Sequence, residues 1–242
     1  MSQLELALDA EISTRHLSFV ETGRAAPSRR MILALADRLE IPMRERNVLL
    51  VAGGFAPVFP ERDLAAPEMR GAREVIDVVL QGHLPYPAFA LDRRWNILAS
   101  NRSLPRLYEG VAEELVTPPV NALRLTLHPR GMASKVINLA EWRANVLQRL
   151  RAQIAATADE GVAELYAELK SYGDEDESAF GDGRAAPLIS FQLMSDVGPL
   201  SFLTTTMTFD APLDVTLSEL IIECFFPADP ETRDRVRAMA DG

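Results

Sequence analysis

The sequence predicts an α+β protein in two parts: an all-α head at residues 1–54 and a mixed body at residues 70–242, joined by a linker at 55–69. Three observations predict this. The head carries repeated helix-start signals and apolar residues at three- and four-residue spacing. The stretch "GGFAPVFPERDLAAPEM", residues 53–69, is rich in glycine and proline and has little periodicity. Beyond it, helical spacing and two-residue alternation both occur, which calls for an antiparallel sheet with helices packed on it.

In the head, Ser2-Gln3-Leu4-Glu5 has the form of a capping box: the serine hydroxyl accepts from a free backbone N–H and the glutamate reaches back to the serine N–H. Leu6, Ala7 and Ala10 give that first helix an apolar face. Ser13 is a second N-cap. After it, Leu17 and Val20 fall on one helical face, and Thr14, Arg15 and Ser18 on another. Gly23 supplies a left-handed stop. Ser28 caps a third helix, with Ile32, Leu35, Ala36 and Leu39 at helical spacing. Pro42 opens a fourth, and Gly53-Gly54 ends it.

The body opens with a helix in "EMRGAREVIDVVLQG", with Val75, Ile76, Val79 and Leu80 on one side and Gly82 as its stop. Phe89 and Leu91 alternate, Asp92-Arg93-Arg94 turns, and "WNILAS" runs on as a second strand, after which Asn101 is placed to cap a short helix. "NALRLTLHPRGM" reads as a short helix ended by His128-Pro129. "VINLAEWRANVLQRLRAQIAATA" is a long one, with Trp142, Val146, Arg149 or Leu150, and Gln153 or Ile154 on neighbouring stripes, and "GVAELYAELKSY" follows. "GDEDESAFGDG" lacks the pattern of a calcium loop and reads as a solvated acidic loop. "PLISFQLM", a turn at "SDVGP" and "LSFLTTTMTF" form a hairpin, and "TLSELIIECFFPAD" supplies the last strand.

Composition narrows the class. With 242 residues and 48% hydrophobic content, the chain can bury a substantial core. No apolar run approaches the ~18 residues of a membrane span, and the start has no basic leader followed by an apolar stretch, so no secretory signal is expected. One cysteine, Cys224, excludes an intrachain disulfide and fits a reducing cytoplasm. The net charge of −10 argues against nucleic-acid binding by the chain as a whole. It is unevenly spread. The first fifty residues hold seven Arg and seven acidic residues, so the rest of the chain carries the entire excess. The head is free to present a local arginine face.

Two short helices with a tight turn, the second with a small polar outer face, suggest a helix-turn-helix. A helical hairpin with an ordinary solvated face has the same spacing. Arg15 has the reach and planar fork to grip guanine, and Thr14 and Ser18 can bond bases or phosphates. Ser2 and Gln3 stand at a helix N-terminus, where backbone N–H groups favour a phosphate. "SQLELALDAEIS", "STRHLSFVETGRAAPS" and "LALADRLEIP" resemble the lambda-repressor-type helix-turn-helix of xenobiotic-response-element regulators. The resemblance implies that Ser13, Thr14, Arg15, Ser18 and Phe19 face the groove and that Gln3 and Arg24 contact phosphates. Two departures stand out. Glu11 occupies the place of a turn glycine. Family members also carry a further helix before this point, which covers the face made here by Leu6, Leu17 and Val20 and supplies an arginine for the glutamate matching Glu21. The first helix of the head is therefore expected to be missing from the sequence as given, leaving that face open and Glu21 without its arginine.

The strand, turn, strand, Asn and helix after residue 87 resemble the opening of a PAS domain. More widely, "AFALDRRWNILASNRS", "PPVNALRLTLHPRGM", "VINLAEWRANVLQRLR" and "LSFLTTTMTFDAPLDVTLSELIIECFFPAD" resemble, in order, the ligand-binding domain of MmyB-like transcription regulators. The resemblance implies a PAS-like sheet wrapped around a mostly apolar cavity with a few polar groups. The expected apolar lining is Phe89, Trp95, Trp142, Phe191, Leu193, Phe202 and Leu203, and the polar candidates are Asn101, Asn121, Arg124 and His128. An arginine beside apolar walls suits a carboxylate with an apolar tail, such as a fatty acid. Each aromatic can equally be plain core, His128 a turn histidine with a backbone partner, and Arg124 the partner of a surface carboxylate.

No motif in the sequence marks a catalytic set, although the members of a Ser-His-Asp triad can lie far apart in a chain. The three histidines, His16, His83 and His128, have no metal-ligand spacing with one another or with Cys224, and there is no phosphate loop or nucleophile elbow. The chain is expected to be no enzyme and to need no cofactor beyond a bound fatty acid or similar molecule. It reads as a cytoplasmic homodimer that binds double-stranded DNA and senses a small apolar ligand, with no membrane partner. The alternative is a ligand-binding or protein-interaction module whose shortened head dimerises or docks.

Overall fold

Every helix expected in the head forms, and each begins at the residue expected to start it. The computed structural model describes residues 2–10, 12–173 and 188–241, so Glu11 and the acidic run at 174–183 lie outside the described residues. Helices α1 (Gln3–Asp9), α2 (Thr14–Glu21), α3 (Arg29–Arg38) and α4 (Met43–Ala52) follow in order. Ser2 and Glu5 make the reciprocal capping box, while Ser13 and Ser28 accept from the backbone N–H of His16 and Met31. Gly23 takes φ +70°, which a side chain would oppose.

Leu17 packs with Ala7 and Met31, flanked by Leu6, Val20 and Leu35. Burying a leucine in this way contributes about 1.5–3 kcal/mol. The face expected to stand open is thus closed by α3. On α1, Leu4 and Leu8 stay exposed, at 59% and 68%. Glu21 has a partner too: Gln3 Nε2 donates to its Oε2 at 2.6 Å.

The chain divides into two compact units, one formed by the first 63 residues with Ala211–Ser218, the other by the rest. Much of the stretch read as linker belongs to the first unit. Asn47 on α4 explains why, since its amide carries both donors and acceptors. Its Nδ2 donates to Phe59 O at 2.8 Å, and its Oδ1 accepts from Val58 and Phe59 N–H. Arg44 grips Glu61 with both terminal nitrogens, Arg62 Nη1 donates to Asp214 Oδ2 at 2.9 Å, and Val215 N–H donates to Pro60 O.

The second unit begins with a 3₁₀ turn at Pro67–Met69 and α5 (Arg70–Gly82), then β1 (Ala88–Leu91) and β2 (Ile97–Ser100). A 3₁₀ turn at Pro105–Tyr108, α6 (Glu113–Val116), α7 (Ala122–Leu127), α8 (Leu139–Thr157) and α9 (Glu160–Lys170) form the middle. β3 (Phe191–Ser195) and β4 (Gly198–Met207) make the hairpin. The chain then passes through the first unit's segment Ala211–Ser218, which carries most of α10 (Val215–Glu219), and returns with β5 (Ile221–Pro227) and α11 (Pro230–Asp241). The five strands form one antiparallel sheet in the order β2-β1-β5-β4-β3.

α5 ends at Gly82, as expected, with His83 as its C-cap. Two readings differ from these elements. Residues 216–219, read as strand, are helical, because Asp214 Oδ1 accepts from Thr216 N–H and starts a turn. Asn101 caps no helix: the 3₁₀ turn begins after Leu104. The final helix, α11, was not legible as an element. It is mostly polar, and its buried Val236 joins the main core.

Two-residue alternation sorts the sheet into two faces. Ala88, Ala90, Ile222 and Cys224 pack under Ile76 and Leu80 of α5. Burial raises the Cys224 thiol pKa, and the neighbouring Glu223 charge adds to this. The intervening residues Phe89, Leu91 and Phe225 join Phe191, Leu193 and Phe202 against α7, α8 and α9. A cavity lies on this second face.

Candidate functional site

In the head, the second helix presents its small polar face to solvent. Ser13, Thr14 and Arg15 are exposed, with Ser18 and Phe19 half-buried beside them. Arg15 lies over the Phe19 ring, its guanidinium carbon 5.3 Å from the ring centre, so the aromatic steers the charged fork along the helix. Ser2 and Ser13 use their oxygens as caps, and each hydroxyl keeps a proton to donate outward. Gln3 is engaged by Glu21, and Arg24 is exposed in the turn after α2.

In the second unit, a cavity of about 40 Å³ lies between the sheet and α7–α8. On that measure it has room for about three waters. Its wall is mostly apolar, with Phe89, Phe191 and Phe225 from the sheet and Leu123, Leu125 and Trp142 from the helices. Two charged residues enter it, Arg149 from α8 and Glu223 from β5, with Arg149 Nη2 donating to Glu223 Oε1 at 2.8 Å. Glu223 is 6% exposed, while Arg149 reaches the surface in part. The Arg149 guanidinium also stacks 4.6 Å from the centre of the Trp95 ring. Trp95 sits at φ +67°, a costly conformation for a large side chain, and is held there by its Nε1–H donating to Gln153 Oε1 at 3.0 Å.

The wall also holds an unmade hydrogen bond. Trp142 is 7% exposed, and its indole Nε1–H is buried without an acceptor. Tyr108 lines the same space, and burial raises its phenol pKa.

Of the residues expected to line the cavity, Phe89, Trp142 and Phe191 do so. Trp95 touches it only through Arg149. Leu193 and Phe202 are sealed in the core. Leu203 stands opposite Phe226 in the ladder, and strand alternation puts it on the other face from Phe202. The four polar candidates are engaged elsewhere. Asn101 and Asn121 bond to the backbone. Arg124 is held by Glu168, Nε donating to its oxygens at 2.8 and 2.9 Å and Nη2 at 2.7 Å. His128 accepts from Arg130 N–H and meets the Tyr172 ring edge-on.

Sequence reasoning missed Arg149 and Glu223 as cavity residues. Glu223 carried a signal: it is a lone charge inside the apolar run "IIECFF". Arg149 lay on the seam already drawn through Trp142 and Val146.

Nearby ion pairs brace the second unit. Asp159 caps α9 and pairs with Arg93 and Arg94. Burial pushes its carboxyl up, but the two arginines and the Val162 and Gly161 N–H groups outweigh that and hold it below the ordinary range.

A helical DNA-reading head and a sheet-walled cavity are the two working parts of a ligand-responsive transcription regulator. Comparison with protein families agrees. Residues 72–239 match the MmyB-like transcription regulator ligand binding domain, and residues 1–46 match a helix-turn-helix family. The chain belongs to the MmyB-like transcription regulators, a family of regulators and not of enzymes. No curated protein matches it. A solved structure titled "Structure of an RNA-binding Light-Oxygen-Voltage Receptor" matches at 13% identity over 99% of this chain, which spans 57% of that one, with a TM-score of 0.27. That score is too low to bear on fold or function. Among the described residues no helix is long and apolar enough to cross a membrane, and no cluster of His, Cys, Asp and Glu could hold a metal ion.

Proposed function

We propose that this chain binds operator DNA as a homodimer through α2 and is controlled by a small, largely apolar amphiphile, fatty-acid-like in character, held between the sheet and α7–α8. The observation that carries the proposal is the cavity itself, an apolar pocket with a few convergent polar groups. It is narrow, about 40 Å³. An effector enters by parting the walls, and only a ligand that prefers the opened form can shift the protein's behaviour. Pairing two heads fits the short reach of one α2, which touches only a few base pairs.

In the head, Ser13, Thr14, Arg15, Ser18 and Phe19 would face the groove, with Ser2, Gln3 and Arg24 toward phosphates. Arg15→Ala is expected to weaken binding to the preferred operator by about 1–3 kcal/mol and to random duplex by less. Anisotropy titrations on both duplexes measure this, and equal losses on the two would remove base reading from Arg15.

Exposed Leu4 and Leu8 support a second reading, in which the head docks on protein. Selection of duplexes from a random pool by the full chain separates the two. An enriched sequence supports operator binding, and a pool that stays random supports docking.

A further inference from the structure

The division of the chain into two units cuts through helix α10: Val215–Ser218 belong to the first unit and Glu219 to the second. Each end of this short helix is fastened within its own unit. At the first-unit end, Asp214 is 4% exposed. Its Oδ1 accepts from Thr216 N–H and its Oδ2 from Arg62 Nη1, both at 2.9 Å. Thr216 Oγ1 donates to Arg62 O at 2.7 Å, and Val215 N–H to Pro60 O at 2.8 Å. The residues just before Arg62 are held in turn on α4, by Asn47 and Arg44.

At the other end, Arg93 Nη1 lies 3.8 Å from Glu219 Oε1, while its Nη2 pairs with Asp159 at 2.7 Å. Arg93 O accepts from Gln153 Nε2 at 2.6 Å. Gln153 Oε1 accepts from the Trp95 indole, and Trp95 carries the Arg149 guanidinium on its ring. Arg149 and Glu223 line the cavity, and Glu223 stands four residues beyond Glu219 in the chain. Glu219 is therefore tied to the cavity wall twice, along β5 and through the side chains that start at Arg93.

These ties suit a moving part. The Arg93–Glu219 pair is longer than a hydrogen bond, and Arg62 is 43% exposed, so neither pair adds much stability. Trp95 sits at φ +67°, so its backbone has a more favourable alternative once Arg149 no longer stacks on it. Ser218 N–H donates to Asp214 O, a bond α10 keeps when it shifts.

We propose that α10 is the coupling element of the protein: parting the cavity walls shifts Glu219 through Arg93 and β5, and Asp214 passes the shift to Arg62 and the segment held on α4. This rests on the cavity controlling DNA binding, as proposed above. The ligand need only prefer one placement of α10 over the other.

The test uses the full chain, its selected duplex and octanoate. Anisotropy reads duplex affinity with and without octanoate, and calorimetry reads octanoate affinity. Saturating octanoate is expected to shift the duplex affinity of wild type by about fivefold or more. Asp214→Asn keeps an oxygen for Thr216 N–H but gives up the charge that holds Arg62, which is left to water. Glu219→Gln gives up the charge facing Arg93, which keeps Asp159. Each variant is expected to bind duplex alone and octanoate alone within about twofold of wild type, while the octanoate-induced shift falls below about twofold. By reciprocity, duplex should alter octanoate affinity in wild type and not in the variants. The two substitutions act at opposite ends of α10, so if one prevents folding the other decides. A folded variant that shifts as far as wild type overturns the inference and leaves ligand control standing. A variant that loses duplex or octanoate affinity outright gives α10 a merely structural part and overturns it too. If octanoate fails to bind or to shift wild type, ligand control fails and the inference fails with it.

Discussion

Asn101 shows how a buried amide is used up by its own fold. It is 1% exposed; its Nδ2 donates to Leu80 O and Tyr86 O, and its Oδ1 accepts from Ala88 and Ser103 N–H. Asn101→Ala orphans these backbone groups and is expected to lose about 1–3 kcal/mol of stability, read as a lowered Tm, with affinity for octanoate unchanged. A changed octanoate affinity would instead return Asn101 to the ligand site. Glu168 is a surface counterpart. The hydrogen bond from Arg124 holds its carboxyl below the ordinary 4.5, partial burial opposes this, and Tyr172 adds a further hydrogen bond. A lowered folded value stabilises above the unfolded pKa and is lost as pH falls through the folded one. Glu168→Gln should therefore be less stable than wild type at neutral pH, by under about 1 kcal/mol because the pair is largely solvated. The gap should close below about pH 4.5. Urea melts across pH check this, and a gap that ignores pH would contradict it. At this scale the sequence named plausible polar residues but not their partners. Asn121 and Arg124 face neighbours 27 and 44 residues away, and no local pattern encodes such a pairing.

Among the elements, local chemistry decided what was legible. Ser2, Ser13, Ser28, Pro42 and Gly23 act within one helical turn of themselves, so the head's helices could be read with their starts. The five strands followed from alternation. Misplacing Leu203 beside Phe202 came from setting aside that same alternation. α11 was missed because its sequence is polar, and its start at Pro230 follows a turn in which Asp229 Oδ1 accepts from Thr232 N–H. Leu17 ties α1, α2 and α3 together. Leu17→Ala is expected to destabilise by about 2–5 kcal/mol, lowering hydrogen-exchange protection in α1–α3 and leaving β1, β4 and β5 unchanged. Equal loss throughout would show that the two units unfold as one.

For the whole molecule, the charge division seen in sequence matches the division of labour: a balanced head for DNA, an acidic body for the ligand. The linker is where expectation and fold parted most. Read as featureless, it is fixed along residues 58–62 by Arg44, Asn47 and Asp214. These bonds reach across up to 152 residues, beyond any local signal. Asp214 also belongs to the segment from which the chain runs into β5, the strand that carries Glu223. The cavity wall and the first unit are thus continuous in the backbone. The most direct test of the account is the affinity of the full chain for its selected operator, measured by anisotropy with and without a saturating amount of octanoate as a fatty-acid probe. The account expects a shift of about fivefold or more, abolished in Ala122→Leu, which fills the cavity. An unchanged affinity with the probe demonstrably bound would contradict it.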